Sequence, residues 1–314
     1  MDNNEMKFKY ACDLLTLRTR NALLSVPKSE RNKINEIRLR LGRSLTAKIC
    51  SKEYYISSNG KINEYPENPV KINFDDIENA YVKAFQNSLH SFHREITRGY
   101  ITVSGGSRVG FCGTAILAPS NLHTVDNIKN ISSLNIRIAR EIIGCSKELY
   151  DKIFCNRIKS LLIAGPPSSG KTTLLRDLTR LIGNKYCTSL IDERNEVSAV
   201  FKGIAQNDIG AFTDIFNSYN KYDGIMTAVK VMSPQIIVCD EIGSKEDMKA
   251  LEYCLNAGVK IITTCHASDY NDVKRKKYIS ELINNKVFDY CAILGTGKSC
   301  GKIIHIIKTG ENDD

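Results

Sequence analysis

The chain has 314 residues, 42% of them hydrophobic and 25% charged. This is an ordinary globular composition that excludes a low-complexity chain, and at this length it suggests about two domains. A formal net charge of +9 permits an anionic partner without requiring one, since nucleotide binding and general surface charge account for much of it. Eleven scattered cysteines with no C-x-x-C pair argue against a zinc site or a disulfide framework; they read as buried free thiols in a reducing compartment. The N-terminus is polar, without the apolar core of a signal peptide, and no apolar run approaches the roughly 18 residues needed to span a bilayer. The expectation is a cytoplasmic protein, peripheral to any membrane.

In chain order, Phe8, Ala11, Leu14, Leu15, Leu23 and Leu24 predict helix, broken at Pro27 and the charged run 28–33. Residues 36–41 alternate strictly, the pattern of a strand with one wet face, and Gly42 closes it. Residues 53–56 and 61–65 flank Asn59-Gly60, a hairpin signal. Ile77, Ala80, Tyr81, Ala84, Phe85 and Leu89 describe an amphipathic helix, and 100–103 and 109–117 a second hairpin across Ser104-Gly105-Gly106-Ser107. Residues 135–140 alternate again. Residues 1–150 thus read as a mixed α+β domain, and 151–314 as a separate one.

The second domain opens on an apolar run, Leu161 to Ala164, followed by Gly165, Pro166, Pro167, Ser168, Ser169, Gly170, Lys171, Thr172 and Thr173. These residues fit G-x-x-x-x-G-K-[ST], and Leu174, Leu175, Leu178, Leu181 and Ile182 continue at helical spacing. Backbone N–H groups at a helix N-terminus converge on an anion favoured by the helix dipole. Lys171 reaches the β- and γ-phosphates, and the Thr172 hydroxyl suits Mg²⁺. Strand before and helix after supply the context this motif needs, so ATP with Mg²⁺ is the expected ligand.

Residues 186–191 read as a strand ending in Asp192-Glu193-Arg194, 203–216 as a polar loop holding Asp214, and 225–232 as a helix halted by Pro234. The apolar run 235–239 ends in Asp240-Glu241, Met248, Leu251 and Leu255 mark a helix face, and 259–264 is a buried strand leading to Cys265-His266. Lys274 to Lys277 read as a solvated helix face, 288–294 and 302–308 as final strands, and 311–314 as an acidic tail. Strands alternating with helices predict a mostly parallel sheet with ligands at its carboxyl edge.

Asp240 lies about 70 residues beyond Lys171, where a phosphate-loop NTPase carries its metal-binding Walker-B aspartate. Glu241 is placed to orient or deprotonate water. Glu193 is either a second water-positioning carboxylate or part of a surface Asp-Glu-Arg turn. His266 is either a cap after a buried strand or a neutral imidazole that senses the γ-phosphate or Glu241. Arg108, Arg137 and Arg140 are candidates for an arginine supplied in trans; the alternative is the wet face of a strand.

Several stretches together resemble the stage III sporulation protein AA family. They are 135–141, 165–177, Ile191-Asp192-Glu193-Arg194, Met232-Ser233-Pro234-Gln235 and Cys239-Asp240-Glu241-Ile242-Gly243, with 36–40 and 99–110 in the first domain. That family is similar to the ATPases of type II and type IV secretion systems, whose RecA-type domain has an acidic box, Walker B and a histidine box. The resemblance implies that Glu193 belongs to the acidic box and His266 to the histidine box. It also implies a homo-oligomeric, hexameric ATPase that powers or assembles a channel between mother cell and forespore through membrane partner proteins. Nucleic acid is not an expected partner. Two departures stand out: Ser168 replaces the glycine of the family's Pro-Gly-Thr-Gly, and Phe212 replaces the arginine of its Gly-x-Arg-Thr-Asp. Phe212 keeps open a nucleotide-gated scaffold with little hydrolysis, and the RecA-type fold with its basic charge keeps open a DNA-dependent ATPase.

Overall fold

The computed structural model describes residues 3–50, 52–85, 99–118 and 121–310. Leu89 and the acidic tail 311–314 lie outside them. The chain divides into two compact units, Met1–Arg140 with Phe201–Gln206, and Glu141–Val200 with Asn207–Asp314.

In the first unit the alternating segment forms β1 (Ile34–Arg40), with Ile37 and Leu39 fully buried and Glu36, Arg38 and Arg40 on the other face. It lies at the centre of an antiparallel sheet ordered β4-β3-β2-β1-β7-β6-β5. The other strands are β2 (Thr46–Ile49), β3 (Lys52–Ile56), β4 (Ile62–Asn63), β5 (Tyr100–Thr102), β6 (Arg108–Ala118) and β7 (Asn121–Arg137). Both expected hairpins are present, β3 with β4 and β5 with β6. The first helical stretch is two helices, Asn3–Asp13 and Leu17–Leu24, whose Phe8 and Leu23 join Ile37, Ile77 and Ile136 in one core. The helix Phe74–Ala84 starts from a capping box in which the Asn73 side chain accepts from the Asp76 N–H and the Asp76 carboxylate from that of Asn73.

The second unit is a sheet ordered β10-β9-β11-β12-β8-β13-β14. Its strands are β8 (Leu161–Ala164), β9 (Thr188–Asp192), β10 (Thr213–Asn217), β11 (Ile236–Cys239), β12 (Lys260–Cys265), β13 (Tyr290–Leu294) and β14 (Ile303–Lys308). All pairings are parallel except β13 with β14. β8, β9 and β11 are buried along their whole length, as strands covered on both faces must be. One expectation fails here: residues 213–216 are strand, not loop, because β10 pairs in register with β9 as an edge strand that buries only Phe216.

The division after Arg140 places the helix Lys147–Ile153 in the second unit. Its entry turn is held by Asp177, on the helix Lys171–Gly183, which accepts from the Gly144 N–H at 3.0 Å, the Ser146 N–H at 2.8 Å and the Ser146 hydroxyl at 2.7 Å. Of the eleven cysteines, Cys12, Cys239, Cys254, Cys265 and Cys291 are buried as expected, whereas Cys50, Cys112, Cys155, Cys187 and Cys300 are exposed. Burial pushes the Cys239, Cys254 and Cys265 thiols up to about 12. Among the described residues no helix is long and apolar enough to cross a membrane.

Candidate functional site

The loop between β8 and the helix Lys171–Gly183 is set by backbone geometry. A Cβ on Gly165 would lie 2.4 Å from Ser169 Oγ, and Gly170, the residue that opens the helix, has φ +92°. Ser168 also sits in the left-handed region at φ +61°, so the serine that stands in for glycine adopts a backbone that suits glycine. The turn between β13 and β14 braces this loop from outside. The Gly301 N–H donates to the Ser169 carbonyl at 2.9 Å, and the Cys300 thiol to that of Ser168 at 3.2 Å.

Lys171 is 7% exposed, and its ammonium donates to the carbonyls of Gly165 at 2.8 Å and Pro166 at 2.9 Å. Burial lowers its pKa from the usual lysine value, against the opposing pull of Asp240, Cys265 and Glu241. Thr172, next on the helix, donates to Asp240 Oδ2 at 2.7 Å, and Thr264 at the end of β12 donates to Asp240 Oδ1. The Thr264 hydroxyl also accepts the Glu241 N–H at 2.9 Å, which pins Glu241 in a left-handed turn at φ +49°. A hydroxyl and a carboxylate offered together suit a hard oxygen-seeking cation such as Mg²⁺. Among the described residues no group of three His, Cys, Asp or Glu side chains forms a self-sufficient metal cage.

His266, one residue past β12, joins the two halves of the site. Its Nδ1 lies 3.1 Å from Lys171 Nζ and its Nε2 lies 2.9 Å from Glu241 Oε1. An ammonium can only donate, so Nδ1 accepts and the proton sits on Nε2, pointing at the carboxylate. β12 lies between β8 and β11 in the sheet, which is why its terminal residues touch both the phosphate loop and the acidic pair.

Glu193 is not brought into this cluster. Its carboxylate takes an ion pair from Lys221 at 2.7 Å, while its neighbour Arg194 reaches Glu241 Oε2 at 3.0 Å. The loop carrying both is organised by buried Asp192, which accepts from the N–H groups of Glu196, Val197 and Ser198 at 2.8, 3.2 and 2.8 Å. Arg176 ties it to the phosphate-loop helix through the Glu196 and Val197 carbonyls. Arg194, Glu241, Gly243, Asp247, His266 and Lys276 border a cavity of about 420 Å³. Thr264 and Arg194 are the contacting residues that sequence reasoning passed over. Two hydroxyls in the apolar run 259–264, and a cation beside the candidate acidic box, were the available signals.

With this geometry in view, the chain matches the family described as sporulation stage III, protein AA, over residues 5–312. The chain belongs to this family. It is 32% identical over 293 residues to stage III sporulation protein AA of Bacillus subtilis, covering 91% of each chain. Among solved structures it is similar in fold to the ATPase DotB of Legionella pneumophila, with a TM-score of 0.51, 13% identity, and 88% of this chain and 74% of that one covered. It is likewise similar to the pilus retraction motor PilT, solved with bound ADP, with a TM-score of 0.56, 14% identity and coverage of 89% and 80%. The α/β fold is therefore similar to that of DotB and PilT.

The departures from the family's motifs and the candidate arginines can be placed as well. Phe212 lies just before β10, bonded to Gly183 at the far end of the phosphate-loop helix and to Thr188 at the start of β9. That is the amino edge of the sheet, opposite the carboxyl edge that carries Lys171 and Asp240. In the first unit, Arg140 is an internal brace whose guanidinium donates to the carbonyls of Asn4, Arg31 and Ile34. This removes it as a candidate to act in trans. Arg108 and Arg137 face each other in register on β6 and β7; Arg108 stacks over Tyr100, and Arg137 is 66% exposed beside Glu36.

Proposed function

We propose that this chain is a Mg²⁺-dependent ATPase of the secretion type, with a RecA-type nucleotide domain in the second unit. The observation that carries this reading is the convergence of Lys171, Thr172, Asp240, His266 and Glu241 through bonds of 2.7 to 3.1 Å. Residues Gly165 to Thr173 cradle the triphosphate with backbone N–H groups, Lys171 turns from its carbonyl partners to the β- and γ-phosphates, and Thr172 with Asp240 holds the metal. When bound, Mg²⁺ neutralises phosphate charge. Glu241 orients the attacking water, whose oxygen bonds to the γ-phosphorus as the bond to the β,γ-bridging oxygen breaks; its proton passes to the carboxylate or the phosphate. His266 couples Lys171 to Glu241, so the phosphate contact of one alters the orientation of the other. Glu193, the acidic-box residue by the family likeness, is held by Lys221 outside this cluster.

In the cell the chain acts as a homo-oligomer, a hexamer by its family's likeness to secretion motors. It is peripheral to the membrane on the cytoplasmic side and powers or assembles a channel between mother cell and forespore with membrane partner proteins. The first unit serves oligomerisation and partner binding, with Arg108 and Arg137 the remaining candidates to act in trans. The deciding experiment measures ATP turnover with and without Mg²⁺ beside oligomer formation. Nucleotide-dependent assembly without turnover would replace the motor with a nucleotide-gated scaffold.

A further inference from the structure

Glu241 is held at both oxygens, by His266 Nε2 at 2.9 Å on Oε1 and by Arg194 Nη1 at 3.0 Å on Oε2. The two attachments differ in kind. His266 is fixed on its other ring nitrogen by Lys171, whereas the Arg194 side chain is 67% exposed. The backbone beneath Arg194 is not loose, because the Asp192 carboxylate and the Arg176 guanidinium fix the turn from both sides. Arg194 therefore has a fixed root and an exposed head. An exposed ion pair is a weak attachment, and a guanidinium binds a multiply charged phosphate through paired hydrogen bonds.

Position completes the argument. Lys171, the residue that meets the β- and γ-phosphates in the ATPase reading, is separated from Glu241 only by the His266 ring. Arg194, Glu241 and His266 line one cavity, and His266 links that cavity to Lys171. Of the other charged groups nearby, Lys221 is committed to Glu193 and Asp247 to the capping box of the helix Lys245–Asn256, while Lys276 and Lys277 also line the cavity. Resting on the ATPase reading, we propose that Arg194 is a catalytic residue that trades Glu241 for the γ-phosphate of ATP. The exchange adds a cation in cis where charge accumulates, and it releases Oε2 of Glu241 to orient water. Arg194 stays protonated throughout and forms no covalent bond.

The test is calorimetric binding of AMP-PNP and of ADP, both with Mg²⁺, to the full chain and to its Arg194→Ala, Arg194→Lys and Lys171→Ala variants. Arg194→Ala should weaken AMP-PNP about tenfold while leaving ADP within about twofold, as loss of one charge-assisted contact to the γ-phosphate requires. Arg194→Lys should recover part of that preference. If Arg194→Ala keeps the wild-type ratio of AMP-PNP to ADP affinity, Arg194 acts only through Glu241 and the proposal is overturned. Equal loss of both nucleotides overturns it too. If the unaltered chain binds neither nucleotide, or Lys171→Ala binds both as well as the unaltered chain does, the phosphate-loop reading itself falls.

Discussion

Thr172 donates a hydrogen bond to Asp240 across 2.7 Å, although 68 residues separate them in the chain. In the proposed site this hydroxyl and carboxylate would hold Mg²⁺ together with oxygens of the nucleotide phosphates. Metal and nucleotide are then bound jointly. Asp240→Asn should raise the Mg²⁺ concentration for half-maximal nucleotide binding about tenfold, as expected when a charged ligand becomes neutral. Binding measured in EDTA should not change. A Mg²⁺ titration followed by nucleotide fluorescence reads this directly, and an unshifted curve would detach Asp240 from the metal.

Lys171 and Glu241 sit at opposite ends of the imidazole bridge and should fail in different ways when substituted. Lys171→Ala removes the buried cation that the phosphates need, so both binding and turnover are lost. Glu241→Gln keeps the shape and a hydrogen-bonding oxygen, so ATP still binds while turnover drops by about 10²- to 10⁴-fold, the usual scale for a general base. Steady-state hydrolysis beside equilibrium binding separates the two. Undiminished turnover in both variants would remove the mechanism.

What could be read from the sequence was what is local. The phosphate loop, the strand at 36–41 with its buried Ile37 and Leu39, and the Asp240-Glu241 pair all declare themselves within a few residues. Contacts made across the sheet do not. Nothing near Thr264 in the chain announces that its hydroxyl will meet Asp240, and nothing near Glu193 says that Lys221 will claim it in place of the site. β10 was hidden for another reason. As an edge strand it buries only Phe216, so it lacks the apolar run that exposes β8 or β11. The boundary after Arg140 was equally unreadable, because residues 144–146 are claimed by Asp177, 31 to 33 positions away.

Asp177 also fixes a pH dependence. Burial opposes its ionisation, yet the hydrogen bonds from Ser146, Gly144 and Arg180 outweigh it and hold the carboxyl below the usual aspartate value. A carboxyl depressed in the folded state stabilises the fold above its unfolded pKa, near 3.9, and that contribution fades as pH falls toward the lower folded value. Asp177→Asn should therefore cost about 2 kcal/mol at neutral pH, the scale of hydrogen bonds to a charged group. The difference in melting temperature from the unaltered chain should narrow below about pH 4. A gap that stays constant down to pH 2 would contradict the depressed pKa.

Ser168 offers a prediction of the opposite sign. Its φ of +61° places a side chain in the left-handed region, which costs a residue with a Cβ about 1 kcal/mol relative to glycine. The side chain is exposed, and the contact that ties the residue to Cys300 uses the Ser168 carbonyl, which glycine keeps. Ser168→Gly should therefore raise stability by up to about 1 kcal/mol, offset in part by the greater freedom of glycine in the unfolded chain. It should also tighten nucleotide binding, because the loop no longer resists the turn that aims its N–H groups at the phosphates. Gly170→Ala is the matched control. At φ +92°, with its new Cβ 3.2 Å from the Gly301 backbone, it strains the turn and presses on the brace from the β13–β14 loop. Thermal melts of the two variants should move in opposite directions, and nucleotide affinity should move with them. If both substitutions lower the melting temperature, Ser168 does not hold the left-handed turn, and the brace from Gly301 cannot be what sets the loop.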